Sequence, residues 1–562
     1  MKKRWLLTWL FWAAVFLWFV TPIELGDVWW HLRTGQWILE NMRLPASDHF
    51  SIAGGGSVFV EKAFWLCQIL LYGVFYRLAG LTGLVFMKAA LFTGIFFLIE
   101  RLANKNGFAR PYSLLMLVPA IFIASFYDEI RPQTFSFFFF ALTVYLLERR
   151  GKQLLVLPPL LLIWANMHGG FVMGAGFAAL YAVREFFSGR QRDLRFISIV
   201  ILAVLASLIN PNGAQAFGWT LGFLKTSEGG GVFIHEHLPL EKFAAFTGEN
   251  PLFYTLAGLG AVTAASFLIK GNFRKNFFYL LVFAGLSYTA YITFRAGFFY
   301  AIFATFCLGK NIGEIRQIRV PDEKKPLKPG RAGFVPWAVF AAVIASVVPY
   351  AVNHSLIENP MIDERLIPIK TADFVLRENP PGNIFHPYEW GGYFIWRLYP
   401  RYKVFIDGRD IGLAGEYEKV LNAGPGWQGI LDRLRVNTAM YWPFLPYKKR
   451  VPPIIFALLK DKGWSPVYWD LQSIVFVRSG LAKNPIDKGA VWELLTSIAA
   501  QNAGAEPRNA DRWAALGEIY ANRDMPWLAR EALSKALAIS PDNQRFISLL
   551  NRIQTMRYST SN

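Results

Sequence analysis

The sequence predicts a helical protein that crosses a membrane many times and ends in a soluble α/β domain followed by a helical segment. Three observations predict this. Of 562 residues, 54% are hydrophobic and 17% charged, whereas soluble domains carry nearer a quarter charged residues. The apolar residues gather before residue 352 in runs separated by short basic loops. Beyond that point the pattern changes to short strand-like runs and turns. The 50 Phe and 20 Trp suit lipid-facing surfaces and interfacial belts. A net charge of +19 would also fit a nucleic-acid binder, but here it sits in the loops, which is a membrane-topology pattern. No arginine stripe or stacking platform recommends RNA or DNA. Cys67 and Cys307 lie in apolar runs without metal-ligand spacing, so no disulfide framework or zinc site follows.

Lys2-Lys3-Arg4 precede an apolar run that ends near Val20. Pro22 and an aromatic, charged stretch follow in place of a small-residue cleavage site. The run therefore reads as an uncleaved first span with a cytoplasmic N-terminus. Further spans are expected near residues 84–99, 113–126, 132–148, 154–167, 171–187, 196–210, 251–269, 277–292, 295–309 and 335–352. The basic loops contain Arg101-Lys105-Arg110, Arg149-Arg150-Lys152, Arg184 through Arg195, Lys270-Arg274-Lys275 and Lys310 through Arg331. All of them can be cytoplasmic only if the chain crosses once between its first loop and Arg101. Two apolar runs lie there, Ala63–Gly80 and Leu84–Leu98. Residues 62–80 carry Lys62, Arg77, Trp65, Tyr72 and Tyr76, which suits a helix lying at the interface. Residues 84–98 then make the crossing. This gives about eleven transmembrane helices in a domain spanning residues 1–352, with a first outer loop at 21–83. The same parity places Asp27, Tyr127 through Pro132, Asn166 through Gly170, the 211–250 loop and Thr293-Phe294-Arg295 on the extracytoplasmic face.

Residues 353–480 are expected to form an extracytoplasmic α/β domain, with strands at Lys403–Gly408 and Ser473–Val477 and a helix at Ile455–Lys460. It holds two polar clusters, His386 through Tyr393 and Asp407-Gly408-Arg409-Asp410. They suggest either a sugar-binding face or a strand-ending turn with Arg409 paired to a neighbouring aspartate. In the helical segment 481–562, Trp513, Leu516-Gly517, Tyr520, Ala529, Leu533, Ala536 and Pro541 have the spacing of one tetratricopeptide-like repeat. A single repeat cannot bury its own face, so it should pack on helices at 487–502 and 544–554 and is a candidate site for a protein partner.

The chemistry centres on Gly26-Asp27-Val28-Trp29-Trp30-His31-Leu32-Arg33. An ionisable group at membrane level is costly unless it is used or paired. Asp27 can be read as a simple helix cap or as a reactive carboxylate. A second acidic cluster on the same face is Asp128-Glu129 before Arg131-Pro132.

An aspartate just after the first span, an interfacial helix and a second acidic cluster together resemble GT-C-fold glycosyltransferases. That family includes the protein O-mannosyltransferases and the lipid A aminoarabinose transferase. The resemblance covers roughly the first 310 residues. It departs from the family at Glu129-Ile130-Arg131-Pro132-Gln133, which is not the usual Asp-containing second motif. The resemblance implies transfer of a sugar from a polyprenyl-phosphate carrier to an extracytoplasmic glycan, lipid or protein at a bacterial-type inner membrane. A phosphate leaving group needs no proton, unlike the alkoxide in glycoside hydrolysis. One general base therefore suffices, and Asp27 is assigned that role. Arg131, Arg295 and Arg33 are candidates for the donor phosphate. His31, His168, Asp48, Asp128 and Glu129 are candidates to orient Asp27 or hold the acceptor. A divalent cation is a candidate cofactor. Two other functions compete. An oligosaccharide ligase or polymerase would rely on the 211–250 loop, which has His235 and His237 but no arginine. A non-catalytic scaffold would present the repeat to a partner and leave the polar groups of the outer face without a use.

Overall fold

The computed structural model describes residues 2–24, 26–54, 59–106, 110–187, 193–223, 238–248, 250–319, 361–409, 412–445 and 450–559. The expected span 335–352, His235, His237 and Asp410 lie outside them. The chain forms two compact units. One comprises Met1–Ala46 and Val58–Asp363, the other Ser47–Ser57 and Glu364–Asn562.

The described residues of the first unit are mostly helical: α1 (Lys2–Trp18), α2 (Val28–Asn41), α3 (Phe59–Ile69), α4 (Arg77–Lys105), α5 (Arg110–Met116), α6 (Val118–Ala124), α7 (Pro132–Arg149), α8 (Leu157–Ala165), α9 (Phe171–Phe186), α10 (Leu194–Ala206), α11 (Gln215–Phe223), α12 (Leu240–Thr247), α13 (Asn250–Lys270), α14 (Phe273–Ile292) and α15 (Gly297–Arg319). A π-helical stretch, Leu70–Tyr76, joins α3 to α4. The stretch from α3 to α4 breaks at Ala79 and Gly80, where Gly80 takes φ +59°. That break falls at the boundary between the expected interfacial helix and the expected span. Glycine suits this position because a side chain disfavours positive φ.

Two helical stretches among the described residues are long and apolar enough to cross a membrane, Lys62–Lys105 and Asn250–Lys270. Thr8–Trp18, Tyr112–Tyr127, Lys152–Ala165 and Leu194–Ala206 are apolar but shorter than the roughly 20 residues of a comfortable span. The expected span at 113–126 is divided into α5 and α6, with a proline in the first turn of α6. Proline lacks the amide hydrogen a continuous helix would need there.

In the second unit, β1 (Asn383–Phe385), β2 (Val436–Tyr441), β3 (Trp464–Trp469) and β4 (Ile474–Arg478) form one sheet in the order β1-β2-β4-β3. β1 and β2 are parallel, and β4 pairs antiparallel with both of its neighbours. The strand expected near 473–477 is β4, and the expected helix is Pro453–Lys460. Lys403–Gly408 is not a ladder strand. Val404 makes a single parallel bridge with Ser51 of the first loop, which is held because Val404 N–H donates to Phe50 O and Ile52 N–H to Val404 O, both at 2.9 Å. Residues 47–57 therefore belong to this unit, although the sequence places them in the loop that opens the first.

Helices Ala510–Asn522 and Pro526–Ile539 form a tight hairpin. A Cβ on Gly517 would lie 2.8 Å from Leu533, so the small residue sets how closely the helices approach. Ala514, Ala529, Leu533 and Ala536 form its core with Phe546 and Ile553 of the next helix.

Candidate functional site

Asp27 directly precedes α2, yet its side chain makes no capping hydrogen bond. Gly26, at φ +150°, delivers the chain into the helix. The carboxylate instead accepts a hydrogen bond from Trp30 Nε1 at 3.0 Å through Oδ1. Its other oxygen, Oδ2, lies 3.7 Å from Arg131 Nε. Arg131 is ion-paired to Glu129 at 2.5 Å. One guanidinium therefore links both acidic clusters.

Local structure explains why this segment is held still. Pro132 starts α7, and Arg131 before it is extended. Thr134 Oγ1 accepts from the Arg131 amide at 3.4 Å and donates to Glu129 O at 2.6 Å. Tyr127 stacks on Phe294 with centroids 4.5 Å apart and donates from its hydroxyl to Phe294 O at 2.8 Å. Gln133 donates to Arg295 O at 3.3 Å. These contacts bring the 127–133 and 293–295 segments together, and Glu129, Arg131, Gln133 and Arg295 line one small pocket floored by Phe137 and Phe294.

Asp128 turns to a different partner. Its Oδ2 accepts from Thr21 Oγ1 at 2.8 Å and lies 3.4 Å from Lys88 Nζ, which also donates to Thr21. The Lys88 side chain is only 3% exposed. Sequence reasoning passed over it as part of an apolar span. The signal was present, because Lys88 is the one charged residue in Leu84–Leu98, and such a charge is used or paired.

His31 and His168 both pack against Phe64. His31 is buried, its ring 3.6 Å from that of Trp30, and Gln68 Nε2 meets its Nδ1 at 3.2 Å. Phe64 of α3 meets the His31 ring edge-on and stacks on His168. Trp65 donates to Asn166 Oδ1 at 2.9 Å, which ties α3 to the 166–170 loop. His168 Nδ1 accepts from the Gly170 amide at 3.0 Å and faces Ser136 Oγ at 2.7 Å. Burial, helped by the charge of Arg295, pushes the His168 pKa down to about 3, so the ring is neutral with its proton on Nε2. It can orient a ligand but is a poor base at neutral pH. Arg33 bonds Gln36 at 2.7 Å and is not among the residues lining the pocket.

Asp48 lies in the second unit. Its carboxylate accepts from the Phe50 and Ser51 amides at 3.0 and 3.1 Å and pairs with Arg409 at 2.9 Å. Arg409 also holds Asp407 at 2.7 Å, and all three side chains are buried. Burial alone would raise the Asp48 pKa, but Arg409 and the Ser51 and Phe50 hydrogen bonds hold it below the usual carboxylate range. His386 Nε2 accepts from the Phe405 amide at 3.0 Å and Nδ1 donates to Pro387 O at 2.8 Å. His386 and the Asp407–Arg409 pair are thus held by contacts within this unit. Arg409 takes Asp48 as a second aspartate that its sequence neighbours did not reveal.

The fold resembles that of an oligosaccharyltransferase. A solved structure of the archaeal oligosaccharyltransferase AglB from Archaeoglobus fulgidus, in complex with an inhibitory peptide and a dolichol-phosphate, aligns with a TM-score of 0.52. The alignment covers 97% of this chain and 86% of that one at 10% identity. No family model matches the sequence, and no curated protein does. Among the described residues no group of three or more His, Cys, Asp or Glu side chains is placed to hold a metal ion. Asp27 and Glu129 share Arg131 as their cationic neighbour.

Proposed function

We propose that this chain is a membrane glycosyltransferase that moves a sugar from a polyprenyl-phosphate carrier to an extracytoplasmic acceptor, with Asp27 as general base. The observation that carries the reading is the placement of Arg131 between Asp27 and Glu129, at a pocket it shares with Arg295. The likeness to an oligosaccharyltransferase fold supports it, and the two long apolar helices support the membrane setting.

The donor phosphate engages Arg131 and Arg295, whose charges are set in advance for the anion that leaves. Drawing Arg131 onto the phosphate leaves Asp27 Oδ2 available, while Trp30 keeps Oδ1 in place. The acceptor hydroxyl attacks the anomeric carbon as the bond from that carbon to the phosphate oxygen breaks. Its proton passes to Asp27, and the carrier phosphate departs with the bonding pair. Attack from the side opposite the phosphate inverts the anomeric centre. Lys88 and Thr21 hold Asp128, and His31 and Gln68 back the Trp30 ring. The hairpin at 510–539 is assigned to a protein partner in the manner of a tetratricopeptide-like repeat.

The test is transfer from a synthetic polyprenyl-phosphate sugar by purified protein in liposomes. Asp27→Asn loses at least about 100-fold in kcat, the lower range for a general base, with donor binding retained. Arg131→Gln acts mainly on the KM for the donor. Undiminished turnover by Asp27→Asn refutes the assignment.

A further inference from the structure

The far ends of the two helices that carry site residues form a second cavity, with three basic residues among its five lining residues. Arg101, Asn104 and Lys105 of α4 and Tyr145 and Arg149 of α7 line a pocket of 380 Å³. The neighbouring cations are satisfied. Arg150 pairs with Glu185 at 2.7 Å, and Lys270 with Glu314 at 2.5 Å. Lys310 lies between Glu148 and Glu314, at 3.5 and 3.3 Å. Glu148, next to Arg149, is turned inward to Tyr181 and Tyr279, and Glu100, next to Arg101, accepts a hydrogen bond from Asn104. Among the described residues no carboxylate pairs with Arg101, Lys105 or Arg149. Arg101 lies over the Phe97 ring, Arg149 over the Tyr145 ring, and Lys105 donates to the Glu148 carbonyl at 2.9 Å. Three cations thus line one cavity, Arg101 and Arg149 against aromatic rings, and among the described residues none of them has a carboxylate partner.

Position adds a second argument. From Lys88 to Lys105 along α4, and from Arg131 to Arg149 along α7, a helix rises roughly 25 Å at about 1.5 Å per residue. That is close to the thickness of a bilayer's hydrocarbon core. The two helices run in the same direction, with Phe138 packed where a Gly94 Cβ would stand. The basic cavity therefore lies about one membrane thickness from the candidate site, at the level of phospholipid headgroups.

We infer that the cavity of Arg101, Lys105 and Arg149 binds the phosphate of an anionic phospholipid in the leaflet opposite the candidate site. A headgroup there supplies the missing negative charge, and clusters of this kind between membrane helices attract anionic lipid. It fastens α4 to α7, the helices that position Lys88 and Arg131. The inference rests on the membrane setting proposed above and not on glycosyl transfer.

The experiment measures thermal unfolding of the full chain in a zwitterionic detergent, titrated with phosphatidylglycerol, phosphatidylcholine or inorganic phosphate. The expected result is a saturable rise in Tm with phosphatidylglycerol alone. In Arg101→Gln/Arg149→Gln its midpoint moves to roughly thirtyfold higher lipid, at about 1 kcal/mol per basic residue. Arg195→Gln, which changes a basic residue at the start of α10 outside the cavity, leaves the midpoint in place. An equal rise with phosphate alone overturns the lipid assignment. An equal response in the double variant, or an equal loss in Arg195→Gln, overturns the site. Because transfer is not measured, neither result bears on Asp27.

Discussion

At the scale of single residues, partners decide the chemistry. Asp27 would be a helix cap by position, but its oxygens face Trp30 and Arg131 instead. Trp30→Phe removes the indole hydrogen bond to Oδ1 and keeps most of the ring's bulk. We expect a fall in kcat of about tenfold with donor KM unchanged, consistent with loss of a hydrogen bond to a charged group worth about 1.5 kcal/mol or more. His386 gives a pH-dependent prediction. Burial pushes its pKa down from the ordinary 6.5 to about 4, against the opposing pull of Pro387 O and Asp407. The folded state thus binds its proton less readily than the unfolded state. The stability it contributes is present above pH 6.5 and lost as the pH falls toward 4. The loss amounts to roughly 3 kcal/mol by linkage. Denaturant unfolding at pH 7 and pH 4, compared with His386→Gln, measures it. The variant should show a smaller loss between the two pH values.

At the scale of elements, close approach is what places the site. A Cβ on Gly35 of α2 would lie 2.1 Å from the Gln68 carbonyl oxygen, so Gly35→Ala forces α2 away from α3. We expect a cost of about 1–3 kcal/mol for such overpacking, read as a lower Tm, and weaker transfer because Trp30 rides on α2 and Asp27 directly precedes it. The break at Ala79-Gly80 falls where loop charges led us to expect a boundary between two apolar runs. The division of α5 from α6 was less legible. Hydropathy averages over a window, whereas Pro119 interrupts hydrogen bonding at one point. Lys88 was hidden in the same way, one charge averaged into an apolar run.

At the scale of the whole chain, the units do not follow sequence order. Residues 47–57 leave the first unit to join the second, where Arg409 holds Asp48 and Asp407 in a buried triad. Arg409→Leu leaves two buried carboxylates without their cation, a loss of about 3–5 kcal/mol. We expect proteolysis of the folded protein to begin within residues 47–57, while Asp48→Asn, which keeps the Arg409–Asp407 pair, is milder. Equal protease resistance in Arg409→Leu and the unaltered chain refutes the role. The sequence by itself determined the composition class, the positions of most helices and the α/β character near residues 453–478, and it named candidate residues for the chemistry. Periodicity and charge are local properties, and they can be read along one dimension. Only the tertiary structure decided that Arg131 stands 3.7 Å from Asp27 across about a hundred residues, that Lys88 partners Asp128, and that Asp48 belongs to Arg409. Side chains distant in sequence meet only through packing, and packing leaves no mark in the spacing of either partner.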